Sequence, residues 1–142
     1  MSSSNHQFSL KLPDGWEDQT AHTFMGPEVN GVRHILNLVV DNEVADNDLY
    51  NFALDRIEPV RSALPGIETL KEQEKTLPSG VQVYEWVYKW VPTDGNIIFK
   101  KNIYMILAGK GYSFAATFSK QSMKTIGVEV DRIIDSFVSR EA

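Results

Sequence analysis

Three histidines, a glycine-rich tripeptide, a run of acids and amides and one charged pair are the places where this sequence could do chemistry. His6, His22 and His34 would serve as metal ligands or proton carriers, but their spacing fits no ligand set and no carboxylate pattern accompanies them. They read instead as surface or interface residues. Gly109-Lys110-Gly111 could cradle a phosphate only by opening a helix; it joins two strand-like segments, so a hairpin turn accounts for it. The run from Asp41 to Asp48 lacks the central glycine and closing glutamate of a calcium loop. It reads as a solvated connection ending in a helix cap at Asp46 or Asn47. Glu85 and Lys89 fall on one face of a strand and read as an ordinary solvated or partly covered set. No G-x-S-x-G, H-E-x-x-H or P-loop is present, and no nucleophile, base and oxyanion donor assemble. A non-enzyme with no catalytic residue, no metal and no cofactor is expected.

The composition narrows the partners. With 142 residues, 42% hydrophobic and 23% charged, the chain suits a single domain over 1–142, with residues 1–6 as a flexible N-terminus. A net charge of -5 offers no electrostatic footprint for nucleic acid or for an anionic membrane surface. The absence of cysteine removes disulfides and thiolate sites. Nothing resembles a signal peptide or a run of about 20 apolar residues, so a cytoplasmic address is expected.

The elements follow from periodicity. Gln7 to Leu12 alternates as a short strand, with Phe8, Leu10 and Leu12 on one side, and Pro13-Asp14-Gly15 turns it. Trp16 then reads as a lid on one end of a sheet. Thr20 to Met25 and Val32 to Val40 are strands separated by a loop over residues 26–31, and Ile35 to Val40 suggests a central strand buried on both faces. Leu49, Phe52, Ala53, Ile57, Val60 and Leu64 form a helical stripe, which Pro59 should kink or break and Leu64-Pro65-Gly66 should end. The charged stretch Ile67 to Leu77 reads as an edge strand. Ile126, Val130, Ile133, Ile134 and Phe137 mark a second helix, with Ser122 as a candidate cap.

Gly80 to Phe118 is a meander whose first strand puts Tyr84, Trp86, Tyr88 and Trp90 on one face and Val83, Glu85, Val87 and Lys89 on the other. In the next strand one face carries Ile98, Lys100, Asn102, Tyr104 and Ile106. That mixture of large apolar groups with an amide is suited to receive an apolar helix while satisfying a few polar groups. The aromatic set reads as structural and the Asn102 set as the partner surface. An α+β sandwich is expected, an antiparallel sheet of about six to seven strands with two main helices packed on it.

Leu12-Pro13-Asp14-Gly15-Trp16-Glu17-Asp18-Gln19-Thr20, Leu64-Pro65-Gly66, Tyr88-Lys89-Trp90 and Ile133-Ile134-Asp135-Ser136-Phe137 together resemble one family. The chain is similar, from about Phe8 to Phe137, to the DcrB-like proteins of the PsbP-like fold, and most closely to the Eag-type chaperones of bacterial type VI secretion. The resemblance implies a cytoplasmic homodimer whose sheets cradle the apolar, transmembrane-forming N-terminal helices of a secreted effector. Carried over by flanking residues, the contact positions are Ala21 and Thr23 on a cradle strand, Arg56 on the helix and Asn102 on the meander. Relatives tend to have aliphatics at the first two positions and glutamine at the other two, so a different effector preference is expected. Together with Ile98, Lys100 and Tyr104 from the meander, these form the expected effector-binding set. The alternatives are a DcrB-like envelope protein and a small-ligand-binding domain of PsbP-like fold.

Overall fold

The structure, a computed structural model, describes residues 2–4, 9–11, 13–16, 19–29, 32–42, 44, 48–91, 95 and 97–138. His6, Phe8, Leu12, Asp46, Asn47 and residues 92–94 of the expected meander turn lie outside them. Six strands make one antiparallel sheet: β3 (Gln19–Val29), β4 (Val32–Asp41), β5 (Glu68–Thr76), β6 (Gln82–Trp90), β7 (Ile98–Leu107) and β8 (Lys110–Phe118). Their order is β3-β4-β8-β7-β6-β5, so the meander β5 to β8 is contiguous and β4 then β3 extend it. The two remaining strands, β1 (Ser2–Ser4) and β2 (Ser9–Lys11), pair with each other in a separate ladder. Helices α1 (Leu49–Ala63) and α2 (Ile126–Asp135) pack on opposite faces. This is the expected α+β sandwich.

Because β2 lies outside the main sheet, Trp16 has no sheet end to cover. It is 62% exposed, which corrects its reading as a lid. Strand β3 also runs further than expected, through Gly26 and Pro27 to Val29, with a bulge between Met25 and Glu28. An edge strand tolerates Pro27 because its outer side needs no ladder donor.

Asp48 caps α1, its carboxylate accepting from the Tyr50 and Asn51 amides at 3.0 and 3.3 Å. The helix continues through Pro59 to Ala63 instead of breaking there. Proline removes one backbone bond, but Ile57, Val60 and Leu64 on either side rest on one aromatic cluster that holds the segment in place. That cluster joins Phe52, Ala53 and Ile57 to Tyr84, Trp86, Tyr88 and Tyr104. Gly111 on β8 is a strand residue rather than part of the turn, and it makes the docking possible: a Cβ there would sit 2.3 Å from the Phe52 ring. The turn itself is Ala108-Gly109, both at positive φ, as a two-residue hairpin of this kind requires.

The opposite face is covered more fully. Leu36, Val83, Ile103, Met105, Tyr112, Phe114, Ala116 and Phe118 form a core closed by Val130 and Ile134 of α2. Helix α2 starts after Thr125, not at Ser122. Ser122 is fully buried and takes another role. The histidine expected at a surface, His34, is also buried: its Nε2 lies 2.6 Å from the Ser122 hydroxyl and its Nδ1 lies 2.7 Å from the Pro27 carbonyl. Ser122 further bonds Ser119, so the set ties the loop before α2 to β4. The hydroxyl is sealed from solvent. Two ring bonds and this enclosure give the pair a structural task.

Candidate functional site

Helix α1 rests mainly on β6 and β7, meets β8 at Gly111 and β4 at Asp41, and leaves the remaining face of β8, β4 and β3 open. The register shows which side chains that exposes. One cross-strand row runs Ala21, Val39, Ser113, Tyr104, Tyr84, and the next runs Thr23, Asn37, Ala115, Asn102, Trp86. In a third, Thr117 lies beside Lys100, and Lys100 beside Tyr88. Directly opposed residues in an antiparallel sheet share a face, so these rows cross one surface. Along the first two rows the side chains fall from large aromatics under α1 to Ser113 and Ala115 on β8, followed by Val39 and Asn37 on β4 and by Ala21 and Thr23 on β3. We call the uncovered strip the trough: Ser113, Ala115 and Thr117 of β8 lie along it, and it is bounded by β7, its wall on the α1 side, and by the edge strand β3 on the other. Three strand spacings separate β7 from β3, about 14 Å. An α-helix, with a diameter of about 10–12 Å including side chains, fits that width.

Ala21, Thr23, Ile98, Lys100, Asn102 and Tyr104 share this face, and Arg56 reaches it from α1. Their surroundings differ. Ala21 and Thr23 are exposed on β3, where the Thr23 hydroxyl donates to Asn37 Oδ1 at 2.9 Å. Ile98 and Lys100 are half-buried. Asn102 is largely buried, its amide donating to the Trp86 carbonyl at 3.3 Å. Tyr104 is buried beneath Phe52 in an edge-on ring contact, and burial raises its pKa above the ordinary phenol value. It belongs to the wall's foundation and not to the open surface. The aromatic set and the expected partner set lie on one face: Trp86 opposes Asn102 and Tyr84 opposes Tyr104.

Arg56 closes one end of the trough. Its Nη2 and Nε donate to Asp41 Oδ2 at 2.5 and 3.2 Å, its Nη1 donates to the Phe52 carbonyl at 3.0 Å, and its guanidinium stacks 3.7 Å from the Phe52 ring centre. Gln19 donates to the other Asp41 oxygen at 2.6 Å. Helix α1 is thereby fastened to the β3–β4 end of the sheet. Asn37, Asp41, Ser113, Ala115 and Thr117 are trough residues that the expected binding set lacks, and Asp41, expected in a solvated connection, is buried at the end of β4. The signal for three of them was the period of two in Ser113, Ala115 and Thr117, small residues alternating with Tyr112, Phe114, Ala116 and Phe118. The Ser113 hydroxyl is buried without a hydrogen-bond partner among the described residues.

The expected central strand is thus half right. On β4, Leu36, Leu38 and Val40 pack into the α2 core, but on the other face Asn37 is exposed and Ile35 and Val39 are only half-buried, because α1 does not reach them.

Electrostatically the two faces differ. On the α2 side Glu85 is almost fully buried and receives Lys75 at 2.8 Å, Gln73 at 3.1 Å and Lys101 at 3.4 Å. Burial alone would raise its pKa, but these cations and the Gln73 amide outweigh it and hold the carboxyl below the ordinary glutamate value. Lys101 also pairs with Asp131 of α2. Lys89 pairs with Glu68 instead, so the expected Glu85 and Lys89 set is two separate interactions.

This architecture, a six-stranded antiparallel sheet between two helices with half of one face uncovered, defines an α+β sandwich of PsbP-like fold. Residues 8–136 match the DcrB family, and the chain belongs to it. Among solved structures the chain is similar to PA94 from Pseudomonas aeruginosa, described as a protein of unknown function and putative regulator. The TM-score there is 0.74 at 16% identity, covering 100% of this chain and 98% of that one. It is also similar to the solution structure of PsbP (CyanoP) from Synechocystis sp. PCC 6803, with TM-score 0.52 at 13% identity over 97% of this chain and 91% of that one. A third likeness is to LpqN of Mycobacterium tuberculosis, involved in cell envelope biogenesis there, with TM-score 0.50 at 14% identity over 94% and 90% of the two chains. No curated protein matches the sequence.

Proposed function

We propose that this protein is a cytoplasmic adaptor that covers an apolar, transmembrane-forming helix of a type VI secretion effector before export. The observation that carries the reading is the uncovered trough beside α1, wide enough for one helix, with small residues along β8 and polar groups at Thr23, Asn37, Asn102 and Lys100 around them. An exposed helix of about 20 apolar residues does not stay soluble in water. A trough of this kind replaces lipid by side chains and offers hydrogen bonds to any polar atom on the passenger. In this reading the working unit is a homodimer, and the exposed Phe24 and Met25 on the edge strand β3 are the surface available for joining two sheets.

The test is co-expression of the chain with the apolar N-terminal segment of an effector encoded beside it. The segment should become soluble and co-purify with the adaptor, and Ala21→Glu should abolish the complex while leaving the adaptor's own unfolding free energy within about 0.5 kcal/mol of wild type. Failure of every such segment to be solubilised would sink the proposal. Family membership also favours a second reading, an envelope-associated DcrB-like protein. That reading requires the chain to fractionate with the cell envelope in the absence of any effector.

A further inference from the structure

Lys100 differs from four other lysines on β5, β6 and β7. Lys71 and Lys75 reach Glu85, Lys89 reaches Glu68, and Lys101 reaches both Glu85 and Asp131. Lys100 is half-buried on the trough wall between Tyr88 and Thr117, with Ile98 and Trp90 in the next row. Among the described residues no carboxylate lies within ion-pair distance of it. The carboxylate at the trough's end, Asp41, is already engaged by Arg56 and Gln19. Burial holds the Lys100 ammonium below the ordinary lysine pKa, a sign that its hydration is already incomplete.

If the trough receives a helix, as proposed above, the remaining water around this ammonium is displaced. An occupant that is apolar throughout would leave a buried charge without a partner, which is costly. An occupant with a carboxylate at that height would exchange water for a charge-assisted hydrogen bond. We propose that Lys100 is a specificity residue, selecting apolar helices that carry a single aspartate or glutamate facing β7. The two groups are complementary, since an acid within an apolar helix is itself expensive to bury alone.

The test uses the full chain and a set of soluble carrier proteins, each bearing the same leucine-alanine helix of about 20 residues. One helix is apolar throughout; in the others a single glutamate is moved residue by residue through one central turn. Titration of wild type should find one glutamate position bound about tenfold more tightly than the apolar helix, the increment expected of a hydrogen bond to a charged group. Lys100→Met should lose that preference and bind the apolar helix more tightly than wild type does. Lys100→Arg should keep the preference, which guards against an effect of misfolding in the methionine variant. The inference is overturned if the apolar helix binds wild type as tightly as every glutamate-bearing one, or if Lys100→Met retains the preference. Failure of all the helices to bind wild type would instead sink the reading of the trough itself, and this inference with it.

Discussion

Lys100 and Lys101 are adjacent in sequence and face opposite sides of the same strand, and their surroundings summarise how the two sides of the sheet differ. Lys101 points into the α2 side, where it bridges the buried Glu85 to Asp131 of the helix. Lys100 points into the trough and has no carboxylate partner among the described residues. Where the face is sealed, folding itself removes water from any charge, so each charge must be paired within the chain. Where the face is open, water serves until something replaces it. An unpaired, partly dehydrated cation is therefore tolerable in the trough and would be intolerable one residue later.

The covered half of the α1 side is the first place to break this contrast. Trp86 is 1% exposed, lies against Tyr88 with ring centres 4.3 Å apart, and donates its indole N–H to Thr69 at 3.0 Å. Trp86→Ala should cost about 3–5 kcal/mol in urea unfolding. A midpoint that hardly moved would mean that α1 does not seal this half, and the division into covered and open halves would fail.

Glu85 tests the α2 side. Glu85→Gln removes one partner of a buried ionic cluster and should destabilise the fold at neutral pH by about 3 kcal/mol. The folded-state pKa of Glu85 lies below its ordinary value of 4.5, so the associated stability is present above the unfolded-state pKa and lost as pH falls through the folded one. Wild type should accordingly weaken on acidification below about 4.5, while Glu85→Gln should lose much of that acid sensitivity. Equal acid limbs in the two proteins would show that the cluster is solvated and the α2 side less closed than its burial indicates.

The fold was largely legible because its signals are local. The stripe from Leu49 to Leu64, the edge charges of Glu68 to Lys75 and the alternation of the meander each specify an element by periodicity alone. Strand β3 was cut short because Gly26 and Pro27 carry turn chemistry, which an edge strand with a bulge accommodates. The site residues named from the sequence do share a face, but Tyr104 and Asn102 proved largely buried, since the extent of α1's cover depends on where the helix lands and Gly111 decides that. Glu85 was misread for a related reason. A glutamate between Val83 and Val87 and a lysine between Phe99 and Ile103 are each unremarkable on one strand; only the register β6 to β7 brings them together under α2.

The smallest expected effect bears most directly on the comparison. Replacing Lys100 by methionine keeps an unbranched, flexible side chain one atom shorter and removes the partly dehydrated charge, so the free protein should gain stability, by about 0.5 kcal/mol or less. The size of the gain depends on pH. Because the folded-state pKa is lowered from the ordinary 10.5, both states carry the proton below the folded value and the desolvation cost is present in full. As pH rises from there towards 10.5 the folded state releases its proton first, and the cost is relieved. The advantage of Lys100→Met should therefore be greatest near neutral pH and shrink under alkaline conditions, read as the difference between the two unfolding free energies across that range. A variant less stable than wild type at neutral pH would mean that Lys100 has an anionic partner within the chain, and the contrast with Lys101 would then be one of partner and not of pairing.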